Sequence, residues 1–103
     1  MDTIREYTLE LKTGEQFITV PKNSQILSVR MASLTDYIIV GVLVDLDTDE
    51  ITEKCILIFS PHDEILDNMK ANFIGVISST SSNKYTDYVR NIEKPLYVFE
   101  KLS

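Results

Sequence analysis

The stretch YIIVGVLVDL, residues 37–46, decides the fold class of this chain. It is almost wholly apolar and rich in branched side chains, and Asp45 is its only charged residue. A short run of this kind between polar segments is typical of a buried strand. Gly41 interrupts it, and a glycine within a strand indicates a bulge or a close approach of another group to the backbone. We expect a central strand that is covered on both faces or approached closely at Gly41.

The segments on either side of this strand carry a similar signal. Further strands are predicted at residues 4–11, 16–20, 26–33, 51–60, 73–79 and 96–101. The turn signal TG at residues 13–14 predicts that the strands at residues 4–11 and 16–20 form a hairpin. Pro21 should end the second, because proline cannot donate to a ladder. In the third, Leu27, Val29 and Met31 are expected to share one face, since side chains alternate along a strand.

One short helix is predicted at residues 61–70. Ser60 is a good N-cap, Pro61 suits the first helical position, and Asp63 can act in the manner of a capping box. Three apolar residues follow at helical spacing: Ile65, Leu66 and Met69. The sequence therefore predicts an all-β fold, a mainly antiparallel sandwich or small barrel of about seven strands. We expect the helix to cap one open end, and residues 1–103 to form a single domain.

The composition sets limits on function. The chain has 103 residues, of which 44% are hydrophobic and 25% charged, as in a soluble globular domain. A net charge of -6 disfavours binding to nucleic acid backbones. Cys55 is the only cysteine, which excludes an intrachain disulfide and a zinc site built on thiolates. Without a signal-peptide pattern or a membrane-spanning apolar run, a cytoplasmic protein is expected. No cofactor is expected.

Several segments together resemble a family of small, uncharacterised phage-encoded β-rich proteins. They are YTLEL, ITVPKNSQILSV, VLVD, FIGV and the terminal VFE, which give an opening hairpin, a proline loop, an ILSV strand and a final VFEK strand. The matching residues are Tyr7, Leu9, Ile18, Pro21, Ile26, Leu27, Ser28, Val29, Val44, Asp45, Phe73, Ile74, Gly75, Val98, Phe99 and Glu100. The predicted helix and a serine-rich loop at residues 78–92 depart from it as insertions. The resemblance implies a phage or prophage origin and brings no activity and no catalytic residues.

The acidic stretch VDLDTDE, residues 44–50, raises the question of a metal site. Asp45, Asp47 and Asp49 match the first, third and fifth ligands of a calcium loop. The sixth and twelfth positions require glycine and glutamate, but Glu50 and Ile56 stand there. Asp45 and Asp47 could still approach one divalent ion, since alternate strand residues share a face. The favoured interpretation is a polar hairpin tip between two apolar strands, with no metal site.

Catalytic candidates are few. His62 is the only histidine, and it stands beside Asp63 and Glu64 at the start of the predicted helix, where charges more simply complement the helix N-terminus. Cys55 lies in an apolar strand and favours a buried structural role over a reactive thiol. No glycine-rich phosphate loop, HExxH motif or nucleophile elbow is present. The sequence therefore favours a protein that is not an enzyme.

Two segments are candidate contact surfaces. Seven acidic residues are expected to form an acidic contact patch if they gather at one end of the fold: Asp45, Asp47, Asp49, Glu50, Asp63, Glu64 and Asp67. Such a patch would meet a basic partner. The serine-rich loop at residues 78–92 is predicted to be exposed and mixes basic and aromatic residues suited to contact with a ligand or partner: Lys84, Tyr85, Tyr88 and Arg90. A solvated loop is the alternative.

The sequence thus predicts a small, non-enzymatic binding protein. A phage accessory factor that modulates a host protein or host defence is the leading hypothesis, with a protein partner or self-association. A protein that sequesters a small ligand, such as a nucleotide signal held by the serine-rich loop at a subunit interface, is the alternative. An enzyme is the third class, for which no residues can be named.

Overall fold

The computed structural model describes residues 1–32, 36–79 and 94–102, and all seven predicted strands are present within them. In chain order they are β1 (Asp2–Glu10), β2 (Gly14–Pro21), β3 (Gln25–Met31), β4 (Tyr37–Asp45), β5 (Ile51–Phe59), β6 (Ala71–Ser79) and β7 (Lys94–Lys101). The all-β prediction is confirmed. No helix in the described residues is long and apolar enough to cross a membrane.

The strands form two antiparallel sheets. Sheet A has three strands in the order β1-β4-β3, and sheet B has four in the order β2-β5-β7-β6. No ladder joins the two sheets within the described residues, so the fold is a sandwich and not a closed barrel. The closest approach of the sheets along one side is between β3 and β6, where Val29 Cγ1 would lie 3.1 Å from a Cβ built on Gly75.

The core lies between the sheets and is dominated by β4, which is the central strand of sheet A. Ile38, Val40, Val42 and Val44 occupy alternate positions and are fully buried. Burying each of these side chains stabilises the fold by ~1.5–3 kcal/mol. Sheet B contributes the facing residues Ile18, Val20, Ile56, Ile58, Ile77, Leu96 and Val98. The strand that was predicted from its apolar run is therefore the one that organises the core.

Gly41 lies on the outer face of sheet A and is the site of a close approach, as its position in the strand predicted. A Cβ at this position would lie 2.7 Å from Ser28 Oγ on the neighbouring strand β3. A bulge between Ile26 and Ser28 shifts the register of β3 at this level. The prediction that Leu27 shares a face with Val29 and Met31 is wrong, because the bulge leaves Leu27 44% exposed.

Two predicted hairpins are wrong. β1 and β2 belong to different sheets, and so do β4 and β5, so each of these connections crosses from one sheet to the other. The segment VDLDTDE is therefore an arch between sheets and not a hairpin tip. Turn residues mark where a chain reverses, but the pairing partner is set by the faces that must be buried across the whole sheet.

The predicted capping helix is not formed at residues 61–70, which contain two turns and otherwise irregular backbone. The local capping contact does form, because the Ser60 N–H donates to Asp63 Oδ2 at 2.8 Å. His62, however, has φ 130°, which cannot continue a right-handed helix. Ile65 and Leu66 remain 47% and 77% exposed, so little packing would stabilise an isolated turn of helix. The segment serves instead as the crossover from β5 to β6.

Candidate functional site

The residues predicted from the serine-rich loop, Lys84, Tyr85, Tyr88 and Arg90, lie outside the described residues. The seven acidic residues are all described, and strand β5 separates them into two groups. Asp45, Asp47, Asp49 and Glu50 precede its first residue, whereas Asp63, Glu64 and Asp67 follow its last. A strand of this length spans ~30 Å. The acidic residues therefore reach the two ends of β5 rather than one end of the sandwich.

The first acidic group is engaged largely by the chain itself. The Asp47 carboxylate forms an ion pair with the Met1 amino group, and this hydrogen bond is the main cause that raises the pKa of the amino group. Asp45 Oδ1 accepts a hydrogen bond from the Asp47 N–H at 2.9 Å. Glu50 forms an ion pair with Lys22 at 3.0 Å. In the part of the chain that the structure describes, no cluster of three or more His, Cys, Asp or Glu could hold a metal ion.

Cys55 is half-buried on the outer face of sheet B and not in the core. Burial raises the pKa of its thiol, and the nearby Glu15 carboxylate raises it further. Because the thiolate is the nucleophilic form, this setting lowers the reactivity of Cys55. His62 stands in the exposed crossover segment, beside the side chains of Phe59 and Tyr97.

The most distinctive surface is one that sequence reasoning missed, the outer face of sheet B. Side chains that point away from the core here are apolar on three adjacent strands. Phe99 on β7 lies between Phe59 on β5 and Phe73 on β6, with ring centroids 5.8 and 5.4 Å away in edge-to-face geometry. Tyr97 pairs in register with Phe59 on one side and with Val76 on the other. These rows form a continuous aromatic floor.

The crossover segment lies over part of this floor, and a half-open cavity lies between them. Ile65, Leu66 and Met69 line it from the segment, and Leu57 and Phe59 line it from β5. Its volume is 480 Å³, which is within the range of small-molecule and side-chain binding pockets. Backbone hydrogen bonds hold the end of the segment, from the Leu102 N–H to the Lys70 carbonyl at 2.8 Å and from the Met69 N–H to the Leu66 carbonyl at 3.0 Å.

We call this surface the aromatic face and define it by eight residues: Leu57, Phe59, Ile65, Leu66, Phe73, Val76, Tyr97 and Phe99. Five of them are substantially exposed, from Leu66 at 77% to Tyr97 at 37%. At roughly 150–250 Å² for each large apolar side chain, the five exposed residues together leave on the order of 500 Å² of apolar surface in water. Contiguous apolar patches of this size on a small monomer are often functional.

Charged side chains border the cavity beneath the crossover segment. Glu15 and Glu64 are acidic, and Lys70 and Lys101 are basic. Lys101 Nζ lies 3.5 Å from Glu15 Oε1. An apolar centre with a mixed charged border is the arrangement found in protein interfaces, where the buried centre supplies affinity and the polar rim contacts water.

A signal for the aromatic face is present in the sequence. The run CILIF, residues 55–59, is apolar at both odd and even positions, and Tyr97 and Phe99 alternate with buried residues of β7. Such runs indicate a strand with two apolar faces, and only one of these faces is needed for the core.

Comparison of the chain with protein-family models, with curated proteins and with solved structures finds no match.

Proposed function

We propose that this chain is a non-enzymatic binding protein and that its aromatic face receives apolar side chains of a protein partner. The observation that carries the proposal is the exposure of Phe73 and Val76 on the aromatic floor, beside a cavity of about 480 Å³ that the exposed Leu66 lines. Leaving such a patch in water is unfavourable by ~25 cal/mol for each Å². A partner that covers it gains this free energy on binding.

The shape of the face favours a protein segment as the occupant. The aromatic floor is open above Phe73 and Val76, and on its opposite side Phe59 lines the cavity beneath the crossover segment. An anchoring apolar or aromatic side chain can enter such a cavity while the neighbouring residues of the partner cover the open floor. The mixed charges of Glu64 and Lys70 at the border would then select the orientation of the partner.

The chain's net charge of -6 favours a partner with a basic surface. The sequence resemblance adds the proposal that this partner is a host protein and that the chain acts as a phage or prophage accessory factor. The nucleotide-sequestering alternative stays a prediction of the sequence, because the residues that motivated it lie outside the described part of the chain.

Differential affinity capture tests the proposal. The wild-type chain, a face variant (Leu66→Ser/Phe73→Ser) and a control variant (Leu27→Ser/Ile51→Ser) are immobilised at equal density in the same bacterial lysate. The control removes two apolar residues that are 44% and 71% exposed but lie away from the aromatic face. We expect a protein that the wild type and the control retain and the face variant loses.

Two controls make the result decisive. Far-ultraviolet circular dichroism and thermal unfolding check that each variant is folded. The single variant Leu66→Ser, at a side chain 77% exposed, removes surface without touching the stack of Phe73 on Phe99. Equal retention of every captured protein by wild type, control and both face variants would refute the aromatic face as the binding surface.

A further inference from the structure

The free edge of β1 is a second surface with the features of a binding site. The other three edge strands, β2, β3 and β6, are shorter or less regular than β1. β3 and β6 each contain an irregularity and approach one another across the sandwich, and β2 ends on Pro21. β1 pairs with β4 in unbroken register from Asp2 to Glu10. A long regular edge without proline, glycine or bulge is a template for pairing with another strand.

The hydrogen bonds of β1 identify the backbone groups that point away from the sheet. The Leu46 N–H donates to the Met1 carbonyl at 2.9 Å, which fixes Met1 as a residue that bonds toward β4. Backbone groups alternate in direction along a strand. The odd-numbered residues of β1 therefore bond to β4, and Asp2, Ile4, Glu6 and Thr8 direct their N–H and carbonyl groups to the open edge.

The side chain of Gln16 already occupies one position of this edge. Its Oε1 accepts a hydrogen bond from the Glu10 N–H at 2.9 Å, and its Nε2 donates to the Glu10 carbonyl at 2.7 Å. The carboxamide thus takes the place of one peptide unit of an added strand. This arrangement confirms the direction of the even-numbered groups and closes the edge at Glu10. The rest of the edge, residues 2–8, has no such cover among the described residues.

The charges along the edge select the added strand. Asp2, Glu6 and Glu10 follow one another at every fourth residue on the outer face, and Asp45 lies opposite Asp2 on β4. Arg30 forms an ion pair with Glu6 at 2.9 Å, and Lys12 forms one with Glu10 at 3.0 Å. Carboxylates remain in excess. Opposite charges stabilise cross-strand pairs and like charges destabilise them, so lysine or arginine fits the outer face of an added strand.

A second copy of β1 fits this edge less well. In antiparallel registers centred on residues 4, 6 or 8, carboxylates of one copy would stand opposite carboxylates of the other. A register centred on Arg5 would place two guanidinium groups opposite each other. A register centred on Tyr7 avoids such pairs, but it aligns Ile4 with Glu10, whose backbone groups are already bonded to the Gln16 side chain. Two chains of net charge -6 also repel.

We propose that the free edge of β1 binds an extended segment of a partner protein in which lysine or arginine alternates with apolar residues. The segment adds to sheet A as a fourth strand. Its backbone bonds to Asp2, Ile4, Glu6 and Thr8, and its basic side chains lie beside the carboxylates of the outer face. The apolar side chains of the segment lie on the core side, beside Thr3, the aliphatic stem of Arg5 and Tyr7. The site is separate from the aromatic face and does not depend on it.

The test uses a blocked nine-residue peptide that alternates lysine with valine, titrated into the isotope-labelled chain and followed by NMR. We expect the amide signals of Asp2, Ile4, Glu6 and Thr8 to shift, and their hydrogen exchange to slow by about tenfold or more. A matched peptide with glutamate in place of lysine should bind at least about tenfold more weakly. Equal binding of the two peptides would overturn the proposed chemistry of the partner.

A proline variant separates edge pairing from general attraction of a basic peptide. The Ile4 N–H points to the open edge and not to β4, so Ile4→Pro removes an edge donor and leaves the ladder intact. Ile4→Thr is the control that changes the same side chain and keeps the N–H. We expect Ile4→Pro to weaken peptide binding by about tenfold or more and Ile4→Thr to have little effect.

Three results would overturn the proposal. Ile4→Pro could bind the peptide as the wild type does, while folding normally by its NMR spectrum. The shifts could fall on the aromatic face and leave the β1 amides unchanged. Light scattering without peptide could give twice the monomer mass, while hydrogen exchange shows protection of the same amides. These two results together would identify a second copy as the occupant of the edge.

Discussion

Replacing Gly41 by alanine, alone and together with Ser28→Ala, tests how the central strand is packed. Its chain neighbours aside, a Cβ at residue 41 would lie 2.7 Å from Ser28 Oγ and within 4 Å of no other described atom. Non-bonded atoms of this size rest at about 3.5 Å. The alanine must therefore displace the Ser28 hydroxyl from its rotamer or move β3 away from β4.

The expected magnitude follows from two opposing effects. The contact is with the hydroxyl end of one exposed side chain, so relieving it falls at the lower end of the usual cost of overpacking, about 1–2 kcal/mol. Replacing glycine by alanine also restricts the unfolded chain, which stabilises the fold by about 0.4–1 kcal/mol. The net loss for Gly41→Ala is then about 1 kcal/mol. For a domain of this size, each kcal/mol corresponds to a Tm change of about 4–8 °C. In the Ser28→Ala background the contact is gone, so the same replacement should stabilise the fold by about 0.4–1 kcal/mol.

Urea unfolding of the wild type, both single variants and the double variant gives the coupling free energy between residues 41 and 28. We expect a coupling of about 1–2 kcal/mol, with opposite signs for Gly41→Ala in the two backgrounds. A loss of the same size in both backgrounds would show that the Ser28 hydroxyl is not the reason for the glycine. A gain in the wild-type background would refute the close approach itself.

Three further predictions concern the rest of the fold. Lys54 and Glu100 form an ion pair of 2.8 Å, and their side chains are only 18% and 16% exposed. Glu100→Gln should therefore lower the free energy of unfolding by about 1.5–3 kcal/mol, because it leaves the Lys54 charge unpaired. Lys54→Met/Glu100→Leu, which removes both charges, should be nearly neutral in urea unfolding. His62→Gly should raise the Tm, because φ 130° is strained for histidine and free for glycine, and the gain should be about 1 kcal/mol. Asp47→Asn should lower the pKa of the Met1 amino group toward its ordinary value of 8.0 in an NMR titration. Since that pKa is raised in the fold, the ion pair stabilises the chain below pH 8.0 and its contribution is lost as pH rises through the folded pKa.

Strand positions could be predicted because period-two alternation and turn residues act locally. The apolar run at residues 37–46 indicated a central strand, and Gly41 indicated a close approach. Sheet membership could not be predicted in the same way. The connection between β4 and β5 crosses the sandwich because each strand must bury one apolar face against the other sheet, and this requirement acts over the whole fold.

The capping helix and the candidate sites show a second limit. Ser60 and Asp63 make the expected local contact, but a cap cannot propagate a helix that has no surface to pack against. The acidic residues were predicted to form one contact patch because they are close in sequence, but strand β5 separates them in space. The aromatic face was missed because its residues come from three strands and a crossover, and only the pairing of β5 with β7 and β6 brings them together.

The most direct test of the proposed function is the dissociation constant of the captured partner for the face variant and for the control variant. Leu66 and Phe73 are 77% and 57% exposed, and burying two such side chains in an interface contributes about 2–3 kcal/mol. We therefore expect Leu66→Ser/Phe73→Ser to bind about 30-fold to 100-fold more weakly than the wild type. Leu27→Ser/Ile51→Ser should bind as the wild type does. Equal affinity of the wild type and the folded face variant would contradict the assignment of the aromatic face as the binding surface.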